Sequence, residues 1–305
     1  MKKILITGSN SFTASHFIQY LKRIQNIELV GMDKNISKNI KEYQVDLLNY
    51  GKVYDVISKE KPNYIIHLVG LNKDKNPINF YKSNLFTTIN LLESIYQNRL
   101  LDTKILLISS SAVYGIPGNK VVNENDIPRP INYYGNSKLS MEEIAFQYIR
   151  NFNLKINIAR PFNAIGNNQP ESFVISSFIK KLLDIKINKK SPIIKVGNLM
   201  VKRDFIDVDD LADAYWKILQ LSYFGEIYNI GSGKSIGIDE VLGKIINLME
   251  IDVKIEIDKN IFRNNDIPDL VSDISKIKKI GWKPKVFLDN SLENIISNYL
   301  KRGIS

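Results

Sequence analysis

The side chains with the clearest chemical potential in this sequence are a phenol and an amine four positions apart, Tyr134 and Lys138. Residues i and i+4 share one face of an α-helix, so a helix over this segment places the lysine ammonium beside the phenol. A phenol that titrates near ~10 is a poor proton donor at neutral pH, but an adjacent ammonium lowers its pKa. The pair therefore predicts acid–base chemistry, whereas the alternative for an isolated Tyr-x-x-x-Lys is an exposed helix face.

A serine-rich stretch upstream is the second group with chemical potential. Ser109 to Gly115 ends the apolar run that begins at Lys104, so it predicts the carboxyl end of a buried strand. Such a strand end presents a serine hydroxyl to the cleft in which we expect the phenol and the amine. Because the serine-rich strand end precedes it in the chain, the Tyr-x-x-x-Lys pair is a more specific indication of a catalytic site than the pair alone.

The first apolar run leads directly into Gly8, at the position of a dinucleotide-binding loop of the pattern G-x-x-G-x-x-G. In such a loop the glycines allow a tight turn and a close approach of the backbone to a pyrophosphate at the N-terminus of the next helix. Gly8 provides the turn, while Ser11 and Ala14 replace the other glycines. We expect Gly8, Ser11 and Phe12 to contact a dinucleotide, although a strand, turn and helix with one glycine is more often plain structure.

An acidic residue at the end of the second apolar run indicates which dinucleotide is bound. Asp33 lies at about the spacing, ~20 residues downstream, at which a carboxylate accepts hydrogen bonds from the adenosine ribose. The same carboxylate repels a 2′-phosphate, so we expect NAD(H) and keep NADP(H) as the alternative because Lys34 follows. We also place Asp46, Leu47 and Leu68 at this cofactor. The alternative role of either aspartate is a helix or turn cap.

Apolar runs alternate with amphipathic stretches in the first half of the chain, which predicts a doubly wound parallel sheet of the Rossmann type, with helices on both faces. The runs are Lys3 to Thr7, Glu28 to Met32, Tyr64 to Leu68, Lys104 to Ser109 and Lys155 to Ala159. The helices between them are expected at Phe12 to Ile24, Asn84 to Tyr96 and Ser137 to Tyr148. The ligand cleft of such a sheet lies at the carboxyl ends of its strands.

Longer helices and isolated strands after Arg160 predict a second, smaller α/β domain. We assign 1–160 and 198–225 to a dinucleotide-binding domain, and 161–197 and 226–305 to a substrate-binding domain. No long linker or internal repeat separates the two parts, so we expect them to pack closely with a cleft between them.

The composition argues against several other classes of protein. The 305 residues include no cysteine, which excludes disulfides and thiolate nucleophiles, and the two histidines lack metal-spaced partners, so we expect no metal site. A net charge of +10 is spread along the chain, which favours a solvated surface over a nucleic-acid partner. No apolar stretch approaches the ~20 residues that cross a membrane, so we expect a cytoplasmic protein without a membrane partner.

Taken together, the motifs resemble those of the extended short-chain dehydrogenase/reductase family, the NAD-dependent epimerases and dehydratases that act on nucleotide-activated sugars. The resemblance covers nearly the whole chain and includes Asn84 to Glu93, Arg160 to Gln169, Val196 to Asp210, Tyr228 to Gly233 and Asp266 to Pro284. Within this family, the sequence is most similar to the reductases of GDP-linked 4-keto-6-deoxy-mannose.

The resemblance implies a catalytic triad of Ser110, Tyr134 and Lys138. Tyr134 would donate a proton, Ser110 would hold the carbonyl oxygen of the sugar, and Tyr134 and Lys138 would also contact the cofactor. Ser111 is the alternative occupant of the serine role and is otherwise assigned to the substrate.

Three further residues are assigned to the substrate by the same resemblance. It places Asn163, Arg203 and Arg263 around the pyrophosphate of a sugar nucleotide. An arginine fork suits this task because it binds phosphate oxygens bidentately, although each arginine has a surface ion pair as its alternative.

The implied function is NAD(P)H-dependent reduction of the 4-keto group of a nucleotide-linked 4-keto-6-deoxy sugar, expected to be GDP-linked, for glycan or surface-polysaccharide synthesis. Ala112 stands where dehydratases of the family carry an acidic residue, which disfavours dehydration. A nucleotide-sugar 4-epimerase and a non-catalytic dinucleotide-binding sensor are the alternatives. Members commonly dimerise through the helices that here are Asn84 to Asn98 and Ser137 to Arg150, which implies a homodimer.

Overall fold

A central sheet of seven strands organises the protein, whose computed structural model describes residues 1–37, 39–188, 191–262 and 267–303. The first elements in chain order are β1 (Lys2–Thr7), α1 (Phe12–Leu21), β2 (Ile27–Asp33), β3 (Lys41–Gln44), α2 (Tyr50–Glu60), β4 (Tyr64–His67), α3 (Pro77–Tyr81), α4 (Thr87–Gln97), β5 (Lys104–Ile108), β6 (Val121–Val122), α5 (Tyr133–Phe152) and β7 (Lys155–Pro161). The chain continues with β8 (Asn163–Ile165), α6 (Val174–Asn188), β9 (Ile193–Val196), β10 (Lys202–Asp207), α7 (Val208–Leu219), β11 (Ile227–Ile230), β12 (Ser235–Gly237), α8 (Ile238–Met249), β13 (Lys254–Ile257), β14 (Val271–Ser272), α9 (Ser275–Lys279) and α10 (Leu288–Gly303). A π-helical turn at Lys82–Phe86 leads into α4, and single 3-10 turns lie at Ser111–Tyr114 and Lys259–Ile261.

The strands of the central sheet lie in the order β11-β7-β5-β4-β1-β2-β3, and every neighbouring pair is parallel. The chain first extends the sheet from β1 through β2 to β3 and then returns to the other side of β1 with β4. This reversal makes the ends of β1 and β4 the topological switch point, where diverging connections leave a crevice for a ligand. The doubly wound parallel sheet expected from the sequence is confirmed.

Two core layers cover the two faces of the sheet. Alternate residues of a strand point to opposite faces, so Ile4 and Ile6 of β1 pack with α1 and α7, whereas Leu5 packs with α2, α4 and α5. All three side chains are fully buried. Because helices cover both faces, each central strand must be apolar on both sides, which is why these strands are visible in the sequence as continuous apolar runs.

A second group of elements packs around a core of its own. β8, β10 and β12 form a three-stranded sheet, β9 pairs with β13, and α6, α8 and α10 contribute Ile179, Leu242 and Ile295 to the buried cluster. Within the described ranges, none of the helices has the length and apolar character that crossing a bilayer requires.

Strand pairing differs at two places from the domain division made on the sequence. β10 lies within 198–225 but pairs with β8 and β12, and β11 lies within 226–305 but pairs with β7 at the edge of the central sheet. Both strands are short, and their own residues do not encode which distant strand they join. The division itself stays a prediction.

His16 connects α1 to the second group of elements. Its Nδ1 lies 2.7 Å from Asp209 Oδ1 and its Nε2 lies 2.9 Å from the Asn167 carbonyl oxygen. Both partners only accept hydrogen bonds, so both contacts form only when both ring nitrogens carry a proton, as in an imidazolium. Burial alone would lower the pKa of His16, but the hydrogen bonds to Asp209 and Asn167 outweigh burial and raise this pKa.

We expect His16 to make a pH-dependent contribution to stability. Because its folded-state pKa lies above the ~6.5 of an unfolded histidine, the contribution is complete below about pH 6.5 and is lost as the pH rises through the folded-state pKa. His16→Gln should lower the unfolding free energy by up to about 1 kcal/mol near pH 5.5 and by less near pH 9, measured by urea unfolding. Asp209→Asn should flatten the same pH dependence, and an equal loss in His16→Gln at both pH values would contradict the imidazolium.

Candidate active site

A cleft of about 620 Å³ opens at the topological switch point, outside the carboxyl ends of β1, β2 and β4. Most of the residues predicted to bind a dinucleotide line this cleft, namely Gly8, Ser11, Asp33, Asp46, Leu47 and Leu68. Phe12 is not among the lining residues; its ring lies edge-on to His16 with 5.3 Å between the ring centres. The fold thus brings together residues that lie between Gly8 and Leu68 in the chain, and their roles stay a prediction.

The turn at Gly8 has the shape that a close ligand approach requires. Gly8 has a φ of +70°, which glycine adopts without steric cost, and its N–H donates to the Met32 carbonyl at 2.8 Å. A Cβ atom here would lie 2.9 Å from Val69 N. Ser11 caps α1 by accepting a hydrogen bond from Ala14 N at 3.3 Å. The first turn of α1 therefore begins at the cleft, where the N–H groups of a helix start favour an anion such as phosphate.

Asp33 ends β2 with both carboxylate oxygens held by backbone donors. Oδ2 accepts from Asn10 N at 3.1 Å, and Oδ1 accepts from Asn35 N at 3.0 Å. The neighbouring Lys34 pairs with Asp46, with 3.2 Å between Nζ and Oδ2. Lys34 is thus paired with a carboxylate of the same cleft.

Ser110, Tyr134 and Lys138 meet at the end of β5. Ser110 begins the turn after this strand, where its Oγ accepts from Ala112 N at 3.1 Å and forms a hydrogen bond with Tyr134. Lys138 lies one helical turn further along α5, is only 4% exposed, and donates from Nζ to the Ile108 carbonyl at 2.7 Å. A hydroxyl, a phenol and an ammonium therefore lie within one small region, as the motif predicts.

Asn132 and Gly135 position the start of α5 against this turn. Asn132 caps the helix because its Oδ1 accepts a hydrogen bond from Gly135 N at 2.8 Å. A Cβ atom at Gly135 would lie 2.5 Å from the Ala112 carbonyl oxygen, so only glycine allows the helix to approach the turn so closely. This approach places Tyr134, the residue directly before Gly135, beside Ser110.

Burial dominates the pKa values of these groups. Burial raises the pKa of Tyr134, and the hydrogen bond with Ser110 opposes this rise. Burial also lowers the pKa of Lys138 to about 8, and the Glu142 carboxylate opposes this fall. The four-residue spacing predicts that Lys138 lowers the pKa of the phenol, but the ammonium donates to the Ile108 carbonyl instead. The phenol is therefore protonated at neutral pH, which is the form that donates a proton.

Gly70 forms the wall between the cleft and the triad. It lines the cleft, and a Cβ atom at this position would lie 3.0 Å from both Lys138 Nζ and Asn84 Oδ1. Asn84 is buried in the π-helical turn before α4, where Oδ1 accepts from Leu71 N at 2.9 Å and Nδ2 donates to Leu71 O at 3.1 Å and to Ser137 Oγ at 2.8 Å. The sequence pattern predicts a regular helix from Asn84 and does not reveal this connection. Several polar residues share the same stretch, including the amide of Asn90, so no local signal singles out Asn84.

Of the residues predicted to contact a substrate, the three that the structure describes do not line the cleft. Asn163 on β8 donates from Nδ2 to the Asp204 carbonyl at 2.9 Å. Arg203 on β10 donates from Nη1 to the Ile267 carbonyl at 2.6 Å, which connects β10 to the segment before β14. Ser111 directly follows Ser110 in the turn after β5. Arg263 lies outside the described residues.

Comparison with known proteins relates the whole chain to one family. The family model described as GDP-mannose 4,6 dehydratase matches residues 5–295. GDP-6-deoxy-D-talose 4-dehydrogenase from Aggregatibacter actinomycetemcomitans is 31% identical over 288 residues, which cover 91% of this chain and 90% of that protein. GDP-6-deoxy-D-mannose reductase from Pseudomonas aeruginosa is 28% identical, over 99% of this chain and 98% of that protein.

The fold agrees with these sequence matches. The solved structure of RMD from Pseudomonas aeruginosa complexed with NADPH has a TM-score of 0.89 and 28% sequence identity to this chain, and the match covers 99% of this chain and 100% of that one. Other matching relatives are named as UDP-glucose 4-epimerases and as dTDP-glucose 4,6-dehydratases. The resemblance predicted from the sequence motifs is confirmed.

Substitution of Gly8 tests whether the turn tolerates a side chain, and two other glycines serve as matched controls. Gly281 has a similar left-handed φ of +78° with no atom near a Cβ position, so Gly281→Ala should cost only the backbone strain of about 1–2 kcal/mol. Gly8→Ala should cost more in urea unfolding, because the Val69 backbone must also move. Gly118→Ala, with neither a left-handed φ nor a close neighbour, should cost almost nothing. An equal cost at Gly8 and Gly281 would show that the turn tolerates a side chain.

Proposed function

Because this chain belongs to the GDP-mannose 4,6-dehydratase family of extended short-chain dehydrogenases/reductases, we propose that it is a nicotinamide-dependent 4-reductase of a nucleotide sugar. The substrate is a 4-keto-6-deoxy sugar linked to GDP, and the product is the corresponding 4-alcohol. The observation that carries the proposal is the protonated phenol of Tyr134 beside Ser110, close to Lys138 and the Gly70 wall of the cleft. Two matched relatives are named for a dehydrogenase and a reductase acting on GDP-linked 6-deoxy sugars, which supports the substrate class.

The residues of the cleft fit a nicotinamide dinucleotide. The turn at Gly8 leaves no space for a side chain, and the start of α1 favours a pyrophosphate. Asp33 is positioned to accept hydrogen bonds from ribose hydroxyls, and Asp46, Leu47 and Leu68 line the same cleft. NAD(H) is the favoured form, since Asp33 disfavours a 2′-phosphate. The bound cofactor supplies a hydride to the carbonyl carbon.

The side chains of the triad supply the proton and hold the oxygen. Ser110 donates a hydrogen bond to the carbonyl oxygen, and Tyr134 transfers its phenolic proton to this oxygen as the carbon becomes that of an alcohol. The ammonium of Lys138 stabilises the phenolate that remains. The phenolate then regains a proton from solvent, so the residues return to their starting state.

Recognition of the nucleotide is assigned to the residues beyond the turn after β5. Asn163, Arg203 and Arg263 surround the pyrophosphate, while Ser111 contacts the substrate. Arg203 donates from Nη1 to the carbonyls of Lys202 at 2.7 Å and of Ile267 at 2.6 Å. Ile267 lies four residues after Arg263 in the chain, which supports assigning the two arginines to the same part of the substrate.

Ala112 distinguishes reduction from dehydration. Elimination of water needs a second acid or base near the sugar, and the methyl group of Ala112 supplies none at the position where dehydratases carry a carboxylate. A 4-epimerase shares the triad and is the second candidate, because several matching relatives are named as epimerases. An epimerase returns the hydride to the sugar, so it consumes no cofactor overall.

Turnover with a panel of substrates tests this proposal. Purified protein is incubated with NADH or NADPH and with 4-keto-6-deoxy sugars linked to GDP, dTDP or UDP, and the cofactor absorbance is followed. We expect one cofactor to be oxidised per GDP-linked sugar reduced. Epimerised sugar without net cofactor loss would identify the epimerase, and cofactor binding without any turnover would identify the sensor.

We also propose that two copies associate through α4 and α5. Tyr96 of α4 and Phe152 of α5 pack with 4.1 Å between ring centres, and Tyr148 packs against Phe152 at 5.4 Å, so half-buried aromatic side chains hold the two helices side by side. Sedimentation equilibrium should give the mass of a dimer, and a monomer at all concentrations would contradict this association.

Loss of the phenolic hydroxyl should separate catalysis from binding. Tyr134→Phe keeps the ring but removes the proton donor, so we expect kcat to fall by roughly 10²–10⁴ while the dissociation constant of the cofactor changes little. Tyr133→Phe is the matched control, because it removes the hydroxyl of the adjacent, exposed tyrosine. A Tyr134→Phe variant with nearly full kcat would show that another group donates the proton.

Cofactor choice should depend on the charge of Asp33. Asp33→Asn removes the repulsion of a 2′-phosphate, so kcat/KM with NADPH should improve more than kcat/KM with NADH declines. Asp55→Asn removes the same charge on the exposed side of α2 and should change neither value. A wild-type kcat/KM already about tenfold higher with NADPH, equivalent to about 1.4 kcal/mol, would overturn the assignment of Asp33.

A further inference from the structure

A buried ion pair lies directly behind the triad. Arg160 on β7 donates from Nε to Glu142 Oε1 at 2.9 Å and from Nη2 to Glu142 Oε2 at 2.6 Å. Arg160 is 2% exposed and Glu142 is 1% exposed. Removing two charges from water is costly, and an ion pair often stabilises a fold no better than apolar side chains of similar volume. Stability alone therefore does not account for this pair.

The pair contacts both ends of the turn that carries the triad serine. On one side Ser109 donates from Oγ to Glu142. On the other side Arg160 donates from Nη1 to the Tyr114 hydroxyl at 2.9 Å, and this hydroxyl donates to Asn229 Oδ1 at 2.7 Å. The turn between Ser109 and Tyr114 is thus fixed at its first and last residues by the same two charges.

The pair also fixes the helix that carries the other two triad residues. Glu142 lies four residues after Lys138, on the same face of α5, and Lys138 lies four residues after Tyr134. A movement of α5 relative to β7 would break the bidentate contact between Glu142 and Arg160. A movement of α5 relative to the turn after β5 would break the hydrogen bond from Ser109 to Glu142. On the function proposed above, we propose that Glu142 and Arg160 are positioning residues that hold Ser110 at hydrogen-bond distance from Tyr134 and keep a negative charge beside Lys138.

The charged and titratable groups around Lys138 indicate which group controls the protonation of the lysine side chain. Glu142 of α5 and His67 of β4 interact electrostatically with Lys138. Arg160 of β7 pairs with Glu142, and Tyr215 of α7 interacts with Tyr134. His67 is neutral, because burial and the Lys138 charge lower its pKa to about 3. Glu142 is therefore the nearby negative charge that opposes the effect of burial on Lys138.

The sign of the pH effect follows from this arrangement. The triad works with Lys138 as an ammonium, so activity is present below the pKa of Lys138 and is lost as the pH rises through it. Glu142→Gln keeps the shape of the side chain but removes its charge, which lowers this pKa further. The alkaline limb of the kcat profile should therefore move to lower pH. Glu142→Asp keeps the charge and should leave the limb in place.

A double variant distinguishes a role of the ion pair in positioning the triad from a role in folding. Glu142→Gln leaves Arg160 buried without a counter-charge and is expected to be less stable, whereas Glu142→Met with Arg160→Met replaces the pair by adaptable apolar side chains. We expect the double variant to fold with nearly wild-type resistance to urea but to lose about 10-fold to 100-fold in kcat, with a smaller change in KM. A stable double variant with kcat within about twofold of wild type would show that the pair is only structural.

The matched control is another buried carboxylate far from the triad. Glu60 is 3% exposed and pairs with Lys3 at 2.7 Å and with Lys41 at 2.8 Å. Glu60→Gln should lower resistance to urea in the same way as Glu142→Gln but should not move the alkaline limb. A similar shift of the alkaline limb in both variants would show that the effect of Glu142→Gln comes from general destabilisation.

A second measurement does not depend on turnover. The titration of Lys138 is followed by NMR in protein with isotope-labelled lysine side chains, assigned through Lys138→Arg. Titration at a lower pH in Glu142→Gln than in the wild type supports the inference, even if no keto sugar is reduced and the proposed function fails. An unchanged titration contradicts the charge role of Glu142, even if the wild type is an active reductase.

Discussion

The buried ammonium of Lys138 is the constraint on which the site depends. A charge removed from water needs hydrogen-bond acceptors and an opposite charge close by. The Ile108 carbonyl accepts its hydrogen bond, Glu142 supplies the negative charge, and Arg160 holds Glu142 bidentately. These partners come from β5, α5 and β7, so the partners of one ammonium connect two strands of the central sheet and one helix around the end of β5. Gly70 lines the cleft beside the same ammonium, and a Cβ atom at Gly70 would lie 3.0 Å from Lys138 Nζ.

The cleft and the triad lie at different places in the site because of the order of the strands. The cleft lies where connections diverge between β1 and β4, whereas the triad lies one strand further, at the end of β5. Asn84 connects the two regions, since it contacts the backbone of Leu71 beside the cleft and the hydroxyl of Ser137 beside Lys138. The π-helical turn around Asn84 lets its amide point inward at this place, whereas a regular helix is what its sequence pattern predicts.

The sequence predicted those features that depend on local spacing. β1, β2, β4, β5 and β7 are buried on both faces and are therefore visible as apolar runs, and the pair of Tyr134 and Lys138 follows from four-residue spacing on one helix. β3 was not predicted, because Lys41–Gln44 is a polar and partly exposed edge strand that pairs only with β2.

Contacts between distant residues were also missed. Arg160, which the family resemblance grouped with the substrate segments, is buried against Glu142, and His16 is held by Asp209. Nothing in the local pattern around either residue encodes these partners.

The central claim is that Tyr134, Ser110 and Lys138 direct a hydride to the 4-keto carbon of a GDP-linked 6-deoxy sugar while the phenol protonates its oxygen. Deuterium-labelled NADH and GDP-linked 4-keto-6-deoxy-mannose test this claim most directly, with NMR of the isolated product. The account predicts one deuterium at C4 of the reduced sugar for each cofactor oxidised. Product without deuterium at C4, or an epimerised sugar formed while the labelled cofactor remains reduced, would contradict it.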